Sequence, residues 1–317
     1  MLLVLLMQAT TTPCILFGLL ILRSAQNDTW YVFIRNDKQN AALLAPLAVI
    51  SFPDSGSLQH KQFLPPAHAS GKGYCFTYNR RMTDQIAAII VAAGKSQRMG
   101  GADKQLRTVG GVPVLARTIA AFEDCQDVGA IILVLNPDNM AGATEMSREF
   151  GWRKVKSIVP GGERRQDSVG AGLSAVADMA RHGMEYGWVA VHDGARPLLT
   201  PGLISRGLEA ARAGGAAIAA LPATDTIKQV DADGIITGTP ERESLWLAQT
   251  PQIFRTDILV GAYSSLAQSG DDSTATDCSR LVEMMGHPVA VFTGEPTNIK
   301  ITTPLDLILA EAILRGH

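Results

Sequence analysis

From Met82 onward, apolar runs of strand length alternate with stretches whose apolar positions recur at helical spacing. Ile86–Ala92 reads as a buried strand, Val112–Phe122 as a helix and Ala130–Leu135 as a second strand. The alternation continues with a helix over Ala141–Phe150, a strand over Val155–Val159 and a helix over Gln166–Ala180. It goes on with a strand over Trp188–His192, a helix over Gly202–Ala213 and a strand over Ala216–Leu221. Repeating βα order predicts an α/β fold with a mostly parallel sheet and helices on both faces. Strands buried on both sides read as continuous apolar runs, as these do. Ligands of such sheets sit beyond the carboxyl ends of the strands, so the segments that follow strands carry the interest.

Thr226–Val230 and Ile235–Thr239 break this rhythm and are joined by DADG, a hairpin signal with Asp-Gly at the turn. Two strands alone do not hold in water, so this arm, residues 224–246, must pack on its own domain or on a second copy of the chain. Helical runs near 256–267 and 276–285, a strand at 289–293 and a helix over 304–314 complete the pattern. Thr303-Pro304 opens the last helix with a capping residue and a proline at its first position.

Residues 1–81 follow no such rule. MLLVLLMQATTTPCILFGLLIL is apolar and long enough in principle to span a bilayer, but its centre, QATTTPC, is polar and holds a proline. The basic start of a signal peptide is missing. Residues 24–81 are rich in turn formers and show neither strand nor helical period. The expectation is an unstructured or spurious extension, translated upstream of a natural start at Met82; a disordered tail and a membrane anchor are the alternatives.

A chain of 317 residues can bury a sizeable core, and 46% hydrophobic with 18% charged residues is ordinary for a soluble protein. A net charge of −2 gives no bulk attraction to nucleic acid or to an acidic membrane, so any anion site must be built locally. Cys14, Cys75, Cys125 and Cys278 form no CxxC pair and suit a reducing compartment; the histidines lack ligand spacing.

Four segments then stand out. AAGKSQRMGGADKQL, residues 92–106, follows the first strand; Gly94, Gly100 and Gly101 allow close backbone approach, and Lys95, Arg98 and Lys104 can surround a polyphosphate. It is neither a Walker A loop nor a dinucleotide fingerprint. GGERRQDSV, residues 161–169, places Gly161, Gly162 and Ser168 at a helix start, where free N–H groups favour acceptors. VHDGARPL, residues 191–198, sets Asp193 and Arg196 three apart after another strand; they can hold a cation and a phosphate respectively, or simply pair with each other. Lys300, between Ile299 and Ile301, points away from its apolar neighbours if that stretch is extended.

These runs, with DTIK, LWLAQTPQ and NIKIT in the same order, resemble the 2-C-methyl-D-erythritol 4-phosphate cytidylyltransferase family over residues 84–315. Single motifs mark only the wider nucleotidyltransferase group; the ordered set is specific. The resemblance implies a Rossmann-like nucleotidyltransferase sheet with a protruding β-arm for dimerisation. It also implies transfer of CMP from CTP to methylerythritol phosphate, with Mg²⁺ or another divalent cation, in the cytoplasm and without nucleic acid or membrane partners. By the same motifs, Arg98, Lys104 and Lys300 would be catalytic. Ala92, Ala93, Gly94, Gly162, Glu163 and Ser168 would bind CTP. Asp193, Arg196 and Thr250 would contact the polyol phosphate, and Thr226 and Arg242 would reach the neighbouring subunit's site across a homodimer. Asp193 is the one protein candidate for the metal, which the phosphates would mostly hold. Two departures stand beside this: Asp103 precedes Lys104 where the family often has proline, and Thr297 precedes Asn298 where some members are acidic. The cyclodiphosphate synthase domain that some members carry in addition is not expected.

Overall fold

The computed structural model describes residues 83–94, 107–268, 275 and 277–316, together with the backbone alone of residues 3–5, 17–23, 30–36, 76–77, 82 and 269. The chain divides into two units, Met1–Arg80 and Arg81–His317. In the first, strand backbone over Leu3–Leu5, Phe17–Arg23, Trp30–Asn36 and Phe76–Thr77 forms an antiparallel sheet in that order. The sequence pattern leads to no packed structure there, and this strand backbone is a difference. FGLLILR and WYVFIRN are rich in β-forming residues, and the turn formers around them hide the signal.

The second unit is built on a seven-stranded sheet. Its strands are β1 Ile86–Ala92, β2 Val128–Leu135, β3 Val155–Pro160, β4 Trp188–Asp193, β5 Ala216–Pro222, β6 Trp246–Arg255 and β7 Ala290–Thr293. They lie in the order β7-β5-β6-β4-β1-β2-β3. All pairs are parallel except those of β6, which runs antiparallel between β4 and β5. The helices are α1 Val114–Asp124, α2 Met140–Glu149, α3 Arg165–Arg181, α4 Pro201–Gly214, α5 Thr256–Ser269, α6 Cys278–Met284 and α7 Pro304–Arg315.

Alternation along β1 explains why its sequence is apolar throughout. Ile86, Ala88 and Ile90 face a core shared with α1, α2 and α4. Ala87 and Ile89 face the other core, shared with α3, α5 and α6. Successive side chains of a strand point to opposite faces, and here both faces are covered. Each fully buried isoleucine contributes about 1.5–3 kcal/mol by leaving water. The helix ends follow local chemistry. The Thr200 hydroxyl accepts from Leu203 N, and Pro201 takes the first turn of α4. Gly215 closes that helix at φ +87°, and a Cβ there would meet Ile258 Cδ1 at 2.4 Å.

β6 is the element absent from the sequence-derived layout. Gln249, Pro251 and Gln252 interrupt its apolar pattern, and a proline argues against a central strand. The arm is also shorter than its pattern suggests: Gln229–Val230 pairs with Ile236–Gly238. Its turn is as expected. Asp231 Oδ1 accepts from the amides of Asp233 and Ile235, and Gly234 takes φ +81°. Lys300 lies in an irregular connection ahead of α7, not within a strand, although Lys300 is exposed while Ile301 is buried. Among the described residues no helix is long and apolar enough to cross a membrane.

Candidate active site

The parallel strands deliver two groups of residues to one edge of the sheet. The first stands at the ends of β1 and β3. Ala92 is buried, Ala93 half-buried and Gly94 exposed. A Cβ on Gly161 would lie 2.3 Å from Ala93 Cβ and 2.7 Å from Ser168 Oγ, so only glycine lets these two strand ends close together. The Gly162 amide donates to Ser168 Oγ at 3.2 Å, and that hydroxyl lies 3.3 Å from the Arg164 carbonyl. Ala93, Gly162 and Ser168 therefore form one corner, as the motifs imply. Glu163 sits exposed beside it. Asp167 accepts from the Arg164 amide and caps the start of α3.

The second group gathers on Asp193 at the end of β4. Lys300 Nζ stands 2.9 Å from Oδ2 and Arg196 Nε 3.6 Å from the same oxygen. Arg165 Nη2 reaches Oδ1 at 3.4 Å. Burial alone would raise the Asp193 carboxyl, but Lys300, Arg165 and Arg196 outweigh it and hold the group well below the ordinary carboxylate range. The segment carrying Lys300 is pinned to the loop after β4 by Ile301 N donating to Ala195 O at 2.8 Å. Arg196 Nη1 donates to Asn298 O at 2.7 Å. Asn298 Nδ2 donates to Thr250 O at 2.7 Å, and Gln249 Nε2 to Glu295 O at 3.0 Å. The two groups meet because Gly194 N donates to Val91 O at 2.9 Å, and a Cβ on Gly194 would lie 2.8 Å from Ala92 Cβ.

Thr250 is placed by β6. Its Oγ1 accepts from Asp193 N at 3.2 Å and pairs with His192 Nδ1 at 3.0 Å. Burial lowers His192 to about 3, which keeps the ring neutral, and its other face meets Phe122 edge-on at 5.2 Å. His192 is thus a support for Thr250 rather than a base open to substrate.

Thr226 and Arg242 lie exposed on the arm; Arg242 Nη1 donates to Thr224 O at 3.3 Å. Among the described residues no hydrogen bond or ion pair joins either one to the Asp193 group. Arg98 and Lys104 fall outside the described residues, as do Lys95, Gly100, Gly101 and Asp103. The sequence pattern assigns no role to Arg165, Asn298 or Gln249. Arg165 carried a usable signal, since a cation in the first turn of a helix opposes the helix dipole and needs a reason to be there.

A resident metal does not fit Asp193. Both carboxylate oxygens already face cations, and a divalent ion would have to displace them. Among the described residues no cluster of three or more His, Cys, Asp or Glu side chains could hold one.

A 3-2-1-4 run of parallel strands, a glycine-lined corner and a cationic cluster at the carboxyl edge fit a Rossmann-like nucleotidyltransferase, and the comparisons with known proteins show a cytidylyltransferase. The family model described as "IspD: 2-C-methyl-D-erythritol 4-phosphate cytidylyltransferase" matches residues 86–316, and the chain belongs to that family. A relative of that name from Dehalococcoides mccartyi (strain ATCC BAA-2266 / KCTC 15142 / 195) is 45% identical over 234 residues, 74% of this chain and 98% of its own length. The crystal structure of 4-diphosphocytidyl-2C-methyl-D-erythritol synthase from Anaerococcus prevotii DSM 20548 aligns with TM-score 0.63 and 30% identity, covering 74% of this chain and 99% of that one. The 2-C-methyl-D-erythritol 4-phosphate cytidylyltransferase of Thermus thermophilus aligns with TM-score 0.56 and 34% identity, covering 73% and 99%.

Proposed function

We propose that residues 82–317 transfer CMP from CTP to 2-C-methyl-D-erythritol 4-phosphate, giving 4-diphosphocytidyl-2-C-methyl-D-erythritol and pyrophosphate for isoprenoid precursor synthesis in the cytoplasm. The observation that carries this reading is Lys300 Nζ on Asp193, beside Arg196, one strand from the glycine-lined end of β1. The β1 and β3 ends suit a nucleotide: Ala92, Ala93 and Gly94 offer backbone, and Gly162, Glu163 and Ser168 offer polar groups for base and ribose. Asp193, Arg196 and Thr250 suit the polyol phosphate.

The attacking group is a phosphate oxygen, already ionised near neutral pH, so no general base is needed. A bond forms from that oxygen to the α-phosphorus of CTP, and the bond to pyrophosphate breaks. Negative charge crowds the five-coordinate phosphorus and the leaving oxygens, and fixed cations lower that barrier. Lys300, Arg98 and Lys104 supply them in this reading. A divalent cation would neutralise charge on the triphosphate, held by phosphate oxygens rather than by Asp193. Thr226 and Arg242 would complete the site of the second subunit in a homodimer joined through the arm.

The test is pyrophosphate release by purified 82–317 with CTP and Mg²⁺, comparing methylerythritol phosphate with ribitol 5-phosphate. Turnover is expected with the first alone; equal turnover with both would remove the substrate assignment. Lys300→Ala should lower kcat by about 10²- to 10³-fold, in the range of losing one transition-state donor. Its fold should be unchanged, because the side chain is 40% exposed. Mass spectrometry of the native N-terminus decides whether residues 1–81 belong to the mature protein.

A further inference from the structure

Arg165 stands in the first turn of α3, yet its side chain is only 22% exposed. The guanidinium bridges two groups: Nη2 faces Asp193 Oδ1 at 3.4 Å, and Nη1 faces Cys278 Sγ at 3.4 Å. Cys278 is fully buried at the start of α6, and burial pushes its thiol up, so an uncharged sulfur receives the contact. The Tyr263 hydroxyl of α5 lies 3.6 Å from the same sulfur. A line of contacts therefore runs from α5 and α6 through Arg165 to the carboxylate.

The two oxygens of Asp193 are divided. Arg165 faces Oδ1; Lys300 and Arg196 face Oδ2. The terminal torsion of an aspartate is broad, so contacts on one oxygen leave the carboxylate plane loosely set. Lysine is a point charge on a flexible four-carbon stem, and its place depends on what its ammonium meets. A planar fork on the second oxygen fixes that plane, and its two terminal nitrogens reach the oxygen and the sulfur separately, whereas an ammonium offers one nitrogen for both.

We infer that Arg165 is a positioning residue for the transfer reaction: it fixes the Asp193 carboxylate from α3, and the carboxylate sets where Lys300 stands. Tyr263 and Cys278 hold Arg165 in turn. This rests on the cytidylyltransferase reading for its kinetic consequence, while the geometric consequence is independent of it.

The experiment uses the full chain and the variants Arg165→Met, Arg165→Lys and Cys278→Ala, each checked for melting temperature. Rates are counted per CTP-binding site from calorimetry with CTP alone. Arg165→Met should lower kcat by about 10- to 100-fold, the scale of one hydrogen bond to a charged group, with the KM for CTP within about twofold of wild type. Arg165→Lys should recover only part of the loss, and Cys278→Ala should fall between wild type and Arg165→Met. A merely structural role would lower the melting temperature and leave kcat per binding site unchanged, and that result overturns the inference. If Arg165→Met does not fold, Arg165→Lys decides: a kcat equal to wild type overturns the inference, and a lowered kcat with unaltered KM for CTP supports it. If the wild-type chain releases no pyrophosphate, the substrate reading fails. The crystal structure of Arg165→Lys then decides alone, since Lys300 seated on Asp193 as in wild type overturns the inference and a displaced Lys300 upholds it.

Discussion

The segments that follow β4 and β5 are built on opposite plans. After β4 the chain turns inward, and Asp193, Arg196 and Thr250 are each at least nine-tenths buried and joined by contacts to Lys300, Arg165 and Asn298. After β5 it leaves the body, and Val230, Ile235 and Ile236 are 56%, 64% and 59% exposed. The first segment is polar yet buried; the second is apolar yet open to water. Buried polar groups are tolerable because each charge has a partner, whereas the apolar groups of this two-stranded hairpin stay exposed among the described residues. One region completes itself, and the other is left open, as the proposed pairing through the arm would require.

The sharpest way to break this comparison is to unbalance the first region. Asp193→Asn leaves Arg165 and Arg196 buried without their counter-charge, and should cost about 3–5 kcal/mol of stability in urea unfolding. A loss under about 1 kcal/mol would mean that the cluster is not a closed charge unit.

A smaller effect should come from pH. Burial holds His192 near about 3 in the folded chain, against about 6.5 when unfolded. The unfolded state then binds the proton first, so stability is full above about pH 6.5 and falls as pH drops toward about 3. Stabilities from urea unfolding at pH 7 and pH 5 should differ by about 2 kcal/mol from this group alone, and the difference should shrink in His192→Gln.

The arm gives the smallest change in folding and the clearest change in assembly. Ile236→Asp should weaken self-association by about 10- to 100-fold, the scale of a buried apolar anchor. Sedimentation should show a lighter species with unaltered far-UV circular dichroism. Association as tight as wild type would place the contact between copies elsewhere.

Much of the fold is legible without coordinates. β1, β2 and β5 are apolar throughout, and β4 is apolar up to Val191, because both faces are covered, and that pattern needs no long-range information. The arm turn is equally local, because DADG supplies an acceptor at Asp231 and a glycine at the left-handed position. β6 was hidden for the opposite reason. Its glutamines and its proline are polar or strand-averse in isolation, and they become strand residues only when Asn298, Asp277 and Glu295 meet their side chains or carbonyls. Arg165 was hidden likewise: its partners, Asp193 and Cys278, lie 28 and 113 residues away.

Residue order alone carries the βα alternation, the position of the glycines that let strand ends close together, and the membership of Asp193, Arg196, Thr250 and Lys300 in one ordered set of motifs. Those features depend on local spacing, steric freedom and residue type. Folding adds what no spacing implies: three cations share one carboxylate, the antiparallel β6 delivers Thr250 to its amide, and Asp193 is spent on those cations rather than free for a metal. Charge balance in a buried site depends on which side chains meet, and a one-dimensional pattern holds the charges without their distances.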